Sequence, residues 1–242
     1  MTNHFGSPLL IATNNTDKIE ELQDLLKDTG IELVTPADIQ LELDVLEDGQ
    51  TYAENAAKKA IAFAQASGLV SLADDSGLEV DALDGAPGLY SARYGATNGK
   101  KLTYAERRAL LIKNLGPYPR PWTARFKATI AIAFPAHIAL SRWSSSGALS
   151  ATYQDHAAKG LQANQAETLR SLRDLGVTHV EGSCDGEIIP EERGTGGFGY
   201  DPIFLFPELG KTMAELSMNE KNRLSHRAKA VMKAKDTLLS LS

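Results

Sequence analysis

The chain has 242 residues, 43% of them hydrophobic and 23% charged, which is enough to bury a sizeable core in one large α/β domain or two small lobes. Its formal net charge of −6 argues against a protein that coats nucleic acid, and its single cysteine, Cys184, rules out a disulfide framework or a cysteine zinc cluster. Residues 1–8 lack the basic flank of a signal peptide, and no apolar run approaches the roughly 18 residues of a membrane span. We therefore expect a cytoplasmic protein that binds neither membranes nor nucleic acid.

The first predicted strand, Leu9 to Ala12, leads into a polar turn that is a candidate anion site. The turn consists of Thr13, Asn14, Asn15, Thr16, Asp17 and Lys18, and apolar residues at helical spacing follow it as far as Gly30. A turn between a strand end and a helix start offers free backbone N–H groups and the positive end of the helix dipole, which favour a phosphate. A capped helix start with a solvated lysine has the same pattern, so both interpretations stay open.

An acidic segment, residues 41–50, precedes an Ala-rich helix that opens at a capping-box pattern, residues 51–54, and carries Lys59 near its middle. Glu47 lies in the acidic segment. Mg²⁺ often binds one or two carboxylates together with substrate phosphates, so Glu47 and an aspartate at a strand end can share one ion. The alternative is that Glu47 is a solvated loop residue.

A strand predicted from the apolar run at residues 69–71 is followed by two adjacent acids, Asp74 and Asp75, and then by Ser76 and a glycine. We expect them to form a turn at the carboxyl end of the strand, where ligands of α/β proteins gather. Because successive strand residues point to opposite faces, one carboxylate can face a metal or water while the other braces the loop. A plain acidic turn has the same composition, since Asp, Ser and Gly are frequent turn residues.

Arg93 follows a turn in which two glycines flank a proline, at residues 85–88. It can reach a phosphate or brace Asp74 or Asp81, and we favour the brace. The remaining predicted elements are strands at residues 31–34, 124–134, 177–183, 187–190 and 203–206, helices at 103–115 and 157–175, and a last helix that begins at Ser225.

A glycine-rich loop with two aromatic residues is the candidate base pocket. Residues 194–199 include four glycines, which let the backbone approach a ligand closely, and the candidate contacts are Phe198, Gly199, Tyr200 and Asp201. The two rings offer flat faces for a base, and the carboxylate accepts hydrogen bonds from ring N–H groups. A glycine hairpin with core aromatic residues is the alternative.

Lys221, His226 and Arg227 cluster around the start of the last predicted helix. A helix N-terminus already favours anions, so this cluster is a second candidate phosphate site; a basic, solvated helix end is the alternative. Taken together, the candidate stretches fit a nucleotide with a polyphosphate tail and Mg²⁺ better than any one of them does alone.

Five segments resemble, in the same order, the motifs of the inosine triphosphatase family, also called the Ham1-like or dITP/XTP pyrophosphatase family. They are residues 12–18, 73–78, 85–93, 197–202 and 225–227. The resemblance implies an α/β fold with a mixed, strongly twisted central β-sheet flanked by helices, in two lobes with the active site in the cleft between them. It also implies one domain over residues 1–242, a homodimer, Mg²⁺ as the cofactor and a nucleoside triphosphate as the substrate. The implied reaction converts ITP, dITP or XTP to the monophosphate and pyrophosphate, which clears deaminated purines from the nucleotide pool.

The resemblance also implies roles for single residues. Asp75 would be the proton acceptor and, together with Glu47, a metal ligand. The implied substrate contacts are Thr13, Asn14, Asn15, Thr16, Asp17, Lys18, Lys59, Ser76, Phe198, Gly199, Tyr200, Asp201, Lys221, His226 and Arg227.

The chain departs from the family over about residues 135–175, which are longer than usual and predicted to contain an extra helix. This insertion would cap the cleft, alter the dimer interface or have no visible effect. Two other functions stay open: a Maf-like pyrophosphatase for modified pyrimidine nucleotides, and a non-catalytic nucleotide-binding module. The matches at residues 197–202 and 225–227 argue against the first, and the presence of all the candidate acids and bases argues against the second.

Overall fold

The computed structural model describes residues 8–97, 99–135 and 176–240. Its strands are β1 (Leu9–Ile11), β2 (Leu33–Val34), β3 (Val70–Val80), β4 (Trp122–Ala133), β5 (Val177–Ile188), β6 (Phe204–Phe206) and β7 (Lys211–Thr212). Its α-helices are α1 (Thr16–Leu26), α2 (Tyr52–Ser67), α3 (Tyr104–Leu115), α4 (Met218–Leu224) and α5 (His226–Ser240). In these residues no helix has both the length and the apolar character needed to cross a membrane.

The strands form one mixed sheet in the order β2-β1-β3-β4-β5-β6-β7. β1 runs parallel to β2 and β3, and every later neighbouring pair is antiparallel. The predicted α/β fold with a mixed central sheet is therefore confirmed. β5 is one continuous strand where the sequence predicted two pieces, because it pairs with β4 along its whole length.

The two acids lie in the middle of β3, so the turn predicted at Asp74 and Asp75 is wrong. The strand continues to Val80 because its second half pairs with β4, with Asp75 opposite Thr129. On its other side β3 pairs with β1 only as far as Leu72. In the part of the chain that the structure describes, no strand adjoins β3 on that side at the two acids.

Three clusters of buried apolar side chains surround the sheet. One packs α1 and α5 against one face, and a second packs α2 against the opposite face. A third joins the far ends of β3, β4 and β5 to α3 and β6. β3 passes through all three, with Leu72 in the first, Ala73 in the second and Leu78 in the third. The polar residues of β3 therefore lie where the three clusters meet.

The helix starts follow the capping signals in the sequence. Asn15 caps α1, and Thr103 caps α3 in a complete capping box. Thr51 caps α2, but the Glu54 carboxylate accepts from the backbone N–H of Gln50, so the capping box predicted at α2 is only half formed.

The predicted insertion over residues 135–175 and its helix at 157–175 lie outside the described residues, apart from Pro135. The insertion and the single-domain organisation over residues 1–242 stay predictions.

Candidate active site

A cavity of about 710 Å³ opens at the middle of β3. Its wall contains every residue that the sequence singled out for the site: Thr13, Asn14, Asn15, Thr16, Asp17, Lys18, Glu47, Lys59, Asp75, Ser76, Phe198, Gly199, Tyr200, Asp201, Lys221, His226 and Arg227. They come from the turn before α1, the first turn of α1, the acidic segment, α2, β3, the glycine-rich loop, α4 and α5. The fold thus brings residues that are far apart in sequence to one place.

The turn before α1 is held in a fixed shape beside the cavity. The Thr13 hydroxyl accepts from the backbone N–H of Asn15 at 3.2 Å, and the Asn15 side chain accepts from the backbone N–H of Lys18 at 3.2 Å. The Asn14 amide donates to the backbone carbonyl of Leu43 at 3.0 Å, which ties the turn to the acidic segment. A helix N-terminus faces the cavity, as an anion site requires.

Asp74 is fully buried and forms ion pairs with two basic side chains. Its Oδ2 lies 2.7 Å from Lys18 Nζ and 3.1 Å from Arg227 Nη2, and it accepts from the Ser76 hydroxyl at 3.2 Å. Burial opposes ionisation of Asp74, but Arg227 and Lys18 outweigh it and hold the pKa of Asp74 well below its usual value. Asp74 is therefore a permanently charged anchor for its neighbours.

Asp75 points away from that network, toward α2. Lys59 Nζ lies 3.5 Å from Asp75 Oδ1 and 2.7 Å from Glu47 Oε1, and it donates to the backbone carbonyl of Asp74 at 2.8 Å. Lys18 Nζ reaches the same carbonyl at 3.2 Å. Two lysines thus converge on β3 at the two acids, on the side opposite β4, where no strand of the described residues adjoins it. The two acids face different groups, as the alternation of a strand predicts.

The two adjacent acids have pKa values shifted in opposite directions. Burial raises the pKa of Asp75, although Lys59 and Lys18 oppose the shift. A carboxylate with a raised pKa is a better proton acceptor, whereas Asp74, with its lowered pKa, holds protons poorly. Burial also disfavours the charge of Glu47, but Lys59 outweighs it and lowers the pKa of Glu47.

Glu47 and Asp75 are the candidate metal ligands, and they meet at Lys59 beside the cavity. Across residues 8–97, 99–135 and 176–240, no three His, Cys, Asp or Glu side chains are placed to hold a metal ion by themselves. Mg²⁺ is often held by one or two carboxylates, with substrate phosphates and water as the other ligands. Two carboxylate donors facing one cavity therefore fit Mg²⁺ that binds together with a polyphosphate.

A buried ion network links α1 to the C-terminal helices, and the sequence analysis missed its central residue, Glu21. Glu21 is 5% exposed, forms an ion pair with Arg227 and lies 2.5 Å from Lys221 Nζ. Lys221 Nζ also lies 2.7 Å from Asp201 Oδ2. The available signal was spacing: Glu21 is three residues after Lys18 and so shares its helix face.

The glycine-rich loop supplies one accessible ring rather than two. Tyr200 is 4% exposed, packs in the third cluster and donates its hydroxyl proton to the backbone carbonyl of Ser91 at 3.0 Å. Stacking of a base on Tyr200 is therefore wrong for this structure, and the core interpretation holds for that residue. Phe198 is half-buried and lines the cavity.

Asp201 is already engaged inside the protein. Its Oδ2 accepts from the backbone N–H of Phe198 at 3.0 Å and from Lys221 at 2.7 Å. A Cβ at Gly197 would lie 2.0 Å from this oxygen, and Gly197 has a φ of +68°, so the loop needs glycine there. The expected contact of Asp201 with a base must compete with these bonds.

His226 is buried and stacks on Phe126, with ring centroids 4.7 Å apart and planes within 10°. Burial, reinforced by the charge of Arg227, lowers the pKa of His226 well below its usual value, so the imidazole is neutral at pH 7. Lys221 and Arg227 are also buried, which makes the interpretation of these three residues as a solvated helix end wrong.

Arg93 does not brace either predicted aspartate. Its Nη2 donates to the backbone carbonyl of Glu47 at 3.2 Å, while Asp81 pairs with Arg125 at 2.9 Å. The favoured interpretation of Arg93 is wrong because the acidic segment passes beside it, which local sequence did not indicate.

The cavity wall also includes residues of α3 that the sequence analysis missed, namely Tyr104 and Arg107. The Tyr104 hydroxyl donates to Asp17 Oδ2 at 2.6 Å and so connects α3 to α1. In the sequence these residues belong to an ordinary capped helix, and no local signal separates them from surface positions.

Comparison with known proteins gives one consistent result. A profile of the Ham1 family matches residues 9–160 and 141–237. The chain is 42% identical over 232 residues to a dITP/XTP pyrophosphatase of Desulforamulus reducens, covering 95% of the chain and 94% of that protein. It is 41% identical to a dITP/XTP pyrophosphatase of Gloeobacter violaceus, with coverages of 93% and 91%.

Solved structures agree with the sequence matches. A HAM1 protein from Coxiella burnetii superposes with a TM-score of 0.72 at 32% identity, covering 96% of this chain and 98% of that one. The Staphylococcus aureus Ham1 protein superposes with a TM-score of 0.70 at 31% identity, with coverages of 98% and 100%.

Proposed function

The chain belongs to the Ham1 family, and we propose that it is a pyrophosphatase that hydrolyses the deaminated purine nucleotides ITP, dITP and XTP to the monophosphate and pyrophosphate. Such an activity removes deaminated purines from the nucleotide pool. The two relatives named above, at 42% and 41% identity, are dITP/XTP pyrophosphatases by name.

The observation that carries this proposal is the convergence of one set of side chains on a single cavity. Cationic groups for phosphates, two carboxylates suited to a hard cation and an aromatic ring for a base all line the same space. Each alone has a structural explanation, but a nucleoside triphosphate uses all three at once.

In the proposed reaction, a water molecule attacks the α-phosphorus. Its proton passes to the Asp75 carboxylate, the new P–O bond forms to the water oxygen, and the bond between the α-phosphorus and the α–β bridging oxygen breaks. Pyrophosphate leaves with the electron pair of that bond. The raised pKa of Asp75 suits it to this transfer, and Asp74 keeps the neighbouring cations in place.

Lys18 and Lys59 are the groups that we assign to the charge of the leaving pyrophosphate. Both ammonium groups lie at the carbonyl of Asp74, within the cavity wall. Mg²⁺, held by Glu47 and Asp75 and by phosphate oxygens, would neutralise further negative charge on the triphosphate.

The base would lie near Phe198 and the buried Lys221. A pocket that donates a hydrogen bond to a 6-oxo group leaves that donor unpaired against the 6-amino group of adenine. Lys221 is a candidate donor because its ammonium group is buried beside Phe198, with Nζ 5.6 Å from the ring centroid.

We also propose that the enzyme works as a cytoplasmic homodimer with Mg²⁺ as its metal, over a single domain. The insertion over residues 135–175 lies between the motifs rather than inside one, so the same chemistry is expected with it in place.

The test is pyrophosphate release with Mg²⁺ from ITP, dITP, XTP, GTP, ATP and dTTP. We expect the first three to be preferred by at least about 100-fold in kcat/KM, with the monophosphate as co-product. Equal rates on ATP, or release of single phosphates, would refute the proposal. Preference for dTTP would instead support a pyrimidine-nucleotide enzyme.

A further inference from the structure

Two aromatic rings, each from a different part of the fold, are accessible to a nucleobase in the cavity. Among the described residues, the phenyl and phenol rings in its wall belong to Phe63, Phe126, Tyr104, Phe198 and Tyr200. Three of them are buried, with Phe63 2% and Phe126 7% exposed, whereas Phe198 is half-buried and Tyr104 is 37% exposed. A flat base can therefore reach only Phe198 and Tyr104.

Tyr104 is held beside Phe198 by contacts on several sides. The two ring centroids are 6.1 Å apart and their planes meet at 46°. The guanidinium carbon of Arg107 lies 4.8 Å from the Tyr104 centroid, and the hydroxyl donates to Asp17 Oδ2 at 2.6 Å. A ring fixed before binding loses less conformational freedom when a ligand contacts it.

The polar end of Tyr104 stays protonated. Burial and the Asp17 carboxylate raise the pKa of Tyr104, so at neutral pH the phenol is an uncharged donor and adds no negative charge beside a triphosphate. Asp17 lies in the first turn of α1, so the bond also joins the candidate base end of the cavity to the helix start at the candidate phosphate site.

We propose that Tyr104 is a second aromatic wall of the nucleobase pocket and contacts the purine together with Phe198. The inference rests on the proposed function, since it names a further contact in the same site. Every base has a flat π-face, so a stacking residue strengthens the binding of hypoxanthine and xanthine nucleotides alike. Selection among bases is left to polar groups of the pocket.

The experiment compares Tyr104→Ala and Tyr104→Phe with the wild-type enzyme, using ITP and XTP as substrates with Mg²⁺. We expect Tyr104→Ala to raise KM by about 10-fold for both, with little change in kcat, because stacking is lost in both the ground and the transition state. Tyr104→Phe keeps the ring and should raise KM by at most about threefold, the loss of one exposed hydrogen bond.

Calorimetric titration with IMP provides a readout that does not depend on turnover. The same order is expected, with Tyr104→Ala binding about 10-fold more weakly than the wild type. Tyr118→Ala is the matched control, because Tyr118 is 44% exposed and lies outside the cavity wall. If Tyr104→Ala does not fold, Tyr104→Leu keeps the bulk and removes the π-face, and it should show the same loss.

A KM and an IMP affinity for Tyr104→Ala equal to those of the wild type would overturn the inference. An equal loss in Tyr104→Phe and Tyr104→Ala would also overturn it, because the hydroxyl bond to Asp17 would then be the important feature. Wild-type activity separates the two hypotheses: an enzyme inactive on ITP refutes the proposed function, whereas an active enzyme with an unaffected Tyr104→Ala variant refutes only this inference.

Discussion

At the residue scale, Asp74 and Asp75 have the same chemistry and different surroundings. Asp74 binds Lys18 and Arg227, whereas Asp75 shares Lys59 with Glu47 and faces the cavity. The strand alternation that separates them was predictable from sequence, but the identity of each partner was not. Those partners lie 56 and 153 residues from Asp74 and 16 from Asp75, and no local pattern encodes such contacts.

Substituting Asp75→Asn should remove activity and keep the fold. An amide cannot take the proton of the attacking water, and loss of a general base typically costs about 10²–10⁴ in rate. We expect kcat on ITP to fall by that factor while IMP titration still shows binding. A variant that keeps more than about a tenth of the wild-type kcat would show that Asp75 is not the proton acceptor.

Substituting Asp74→Asn should act on stability. It leaves Lys18 and Arg227 without their shared buried partner, and breaking a buried ion pair from one side costs about 3–5 kcal/mol. Urea unfolding followed by circular dichroism measures the free energy of unfolding. The control is Asp48→Asn, whose pair with Lys58 is exposed and should change the stability by less than about 1 kcal/mol. Similar losses in both variants would contradict the assignment.

At the element scale, α5 lies unusually close to β5, and one glycine permits it. A Cβ at Gly182 would lie 2.2 Å from the backbone oxygen of His226 and 2.5 Å from the backbone nitrogen of Ala230. The start of α5 carries His226 and Arg227 into the cavity wall, so this close packing positions part of the site.

Gly182→Ala should therefore lower the free energy of unfolding by at least about 2 kcal/mol, because backbone atoms cannot move aside as a flexible side chain would. We also expect a higher KM for ITP, since α5 must shift away from β5. Ser183→Ala is the matched control on the same strand: Ser183 is exposed, and its backbone carbonyl, which accepts from Lys229, is retained. If Gly182→Ala had the same free energy of unfolding as the wild type, α5 could move away from β5 without loss of stability, which would contradict this prediction.

Element boundaries show where sequence patterns stop being informative. β1, β4 and the capped helices follow local sequence signals, so the sequence predicted them to within a few residues. The sequence predicted that β3 ends before Asp74, because Asp, Ser and Gly are frequent turn residues. In the structure the strand continues, because it pairs with β4 and because Lys18 and Lys59 form ion pairs with the two acids. Tertiary contacts overruled the local preference there.

At the scale of the whole molecule, the site lies where three apolar clusters meet, and its charged groups are largely buried. Such a site makes stability depend on pH. In the unfolded chain a histidine takes up a proton near about pH 6.5, whereas burial lowers the pKa of His226 in the folded protein. Below about pH 6.5 the unfolded state therefore binds more protons than the folded state, so the free energy of unfolding falls as the pH falls.

We predict that His226→Asn makes the stability less dependent on pH between about pH 6.5 and pH 5, where His226 costs the wild type up to about 1.4 kcal/mol per pH unit. Asp74 has a lowered pKa in the folded state, so its contribution is lost only near and below about pH 4, outside this window. Urea unfolding at several pH values measures both slopes. Equal slopes in the variant and the wild type would show that His226 is not buried in its neutral form.

The two lysines on the carbonyl of Asp74 have a consequence for solubility. Where β1 ends, β3 would expose unpaired backbone groups, and an uncovered strand edge invites pairing with another chain. Lys18 and Lys59 place two charges at that edge, and the Ser91 hydroxyl accepts from the backbone N–H of Leu78 further along it. The two lysines that would neutralise a triphosphate therefore also disfavour pairing of this edge with another chain. We expect replacement of either lysine by an uncharged residue to reduce solubility as well as turnover.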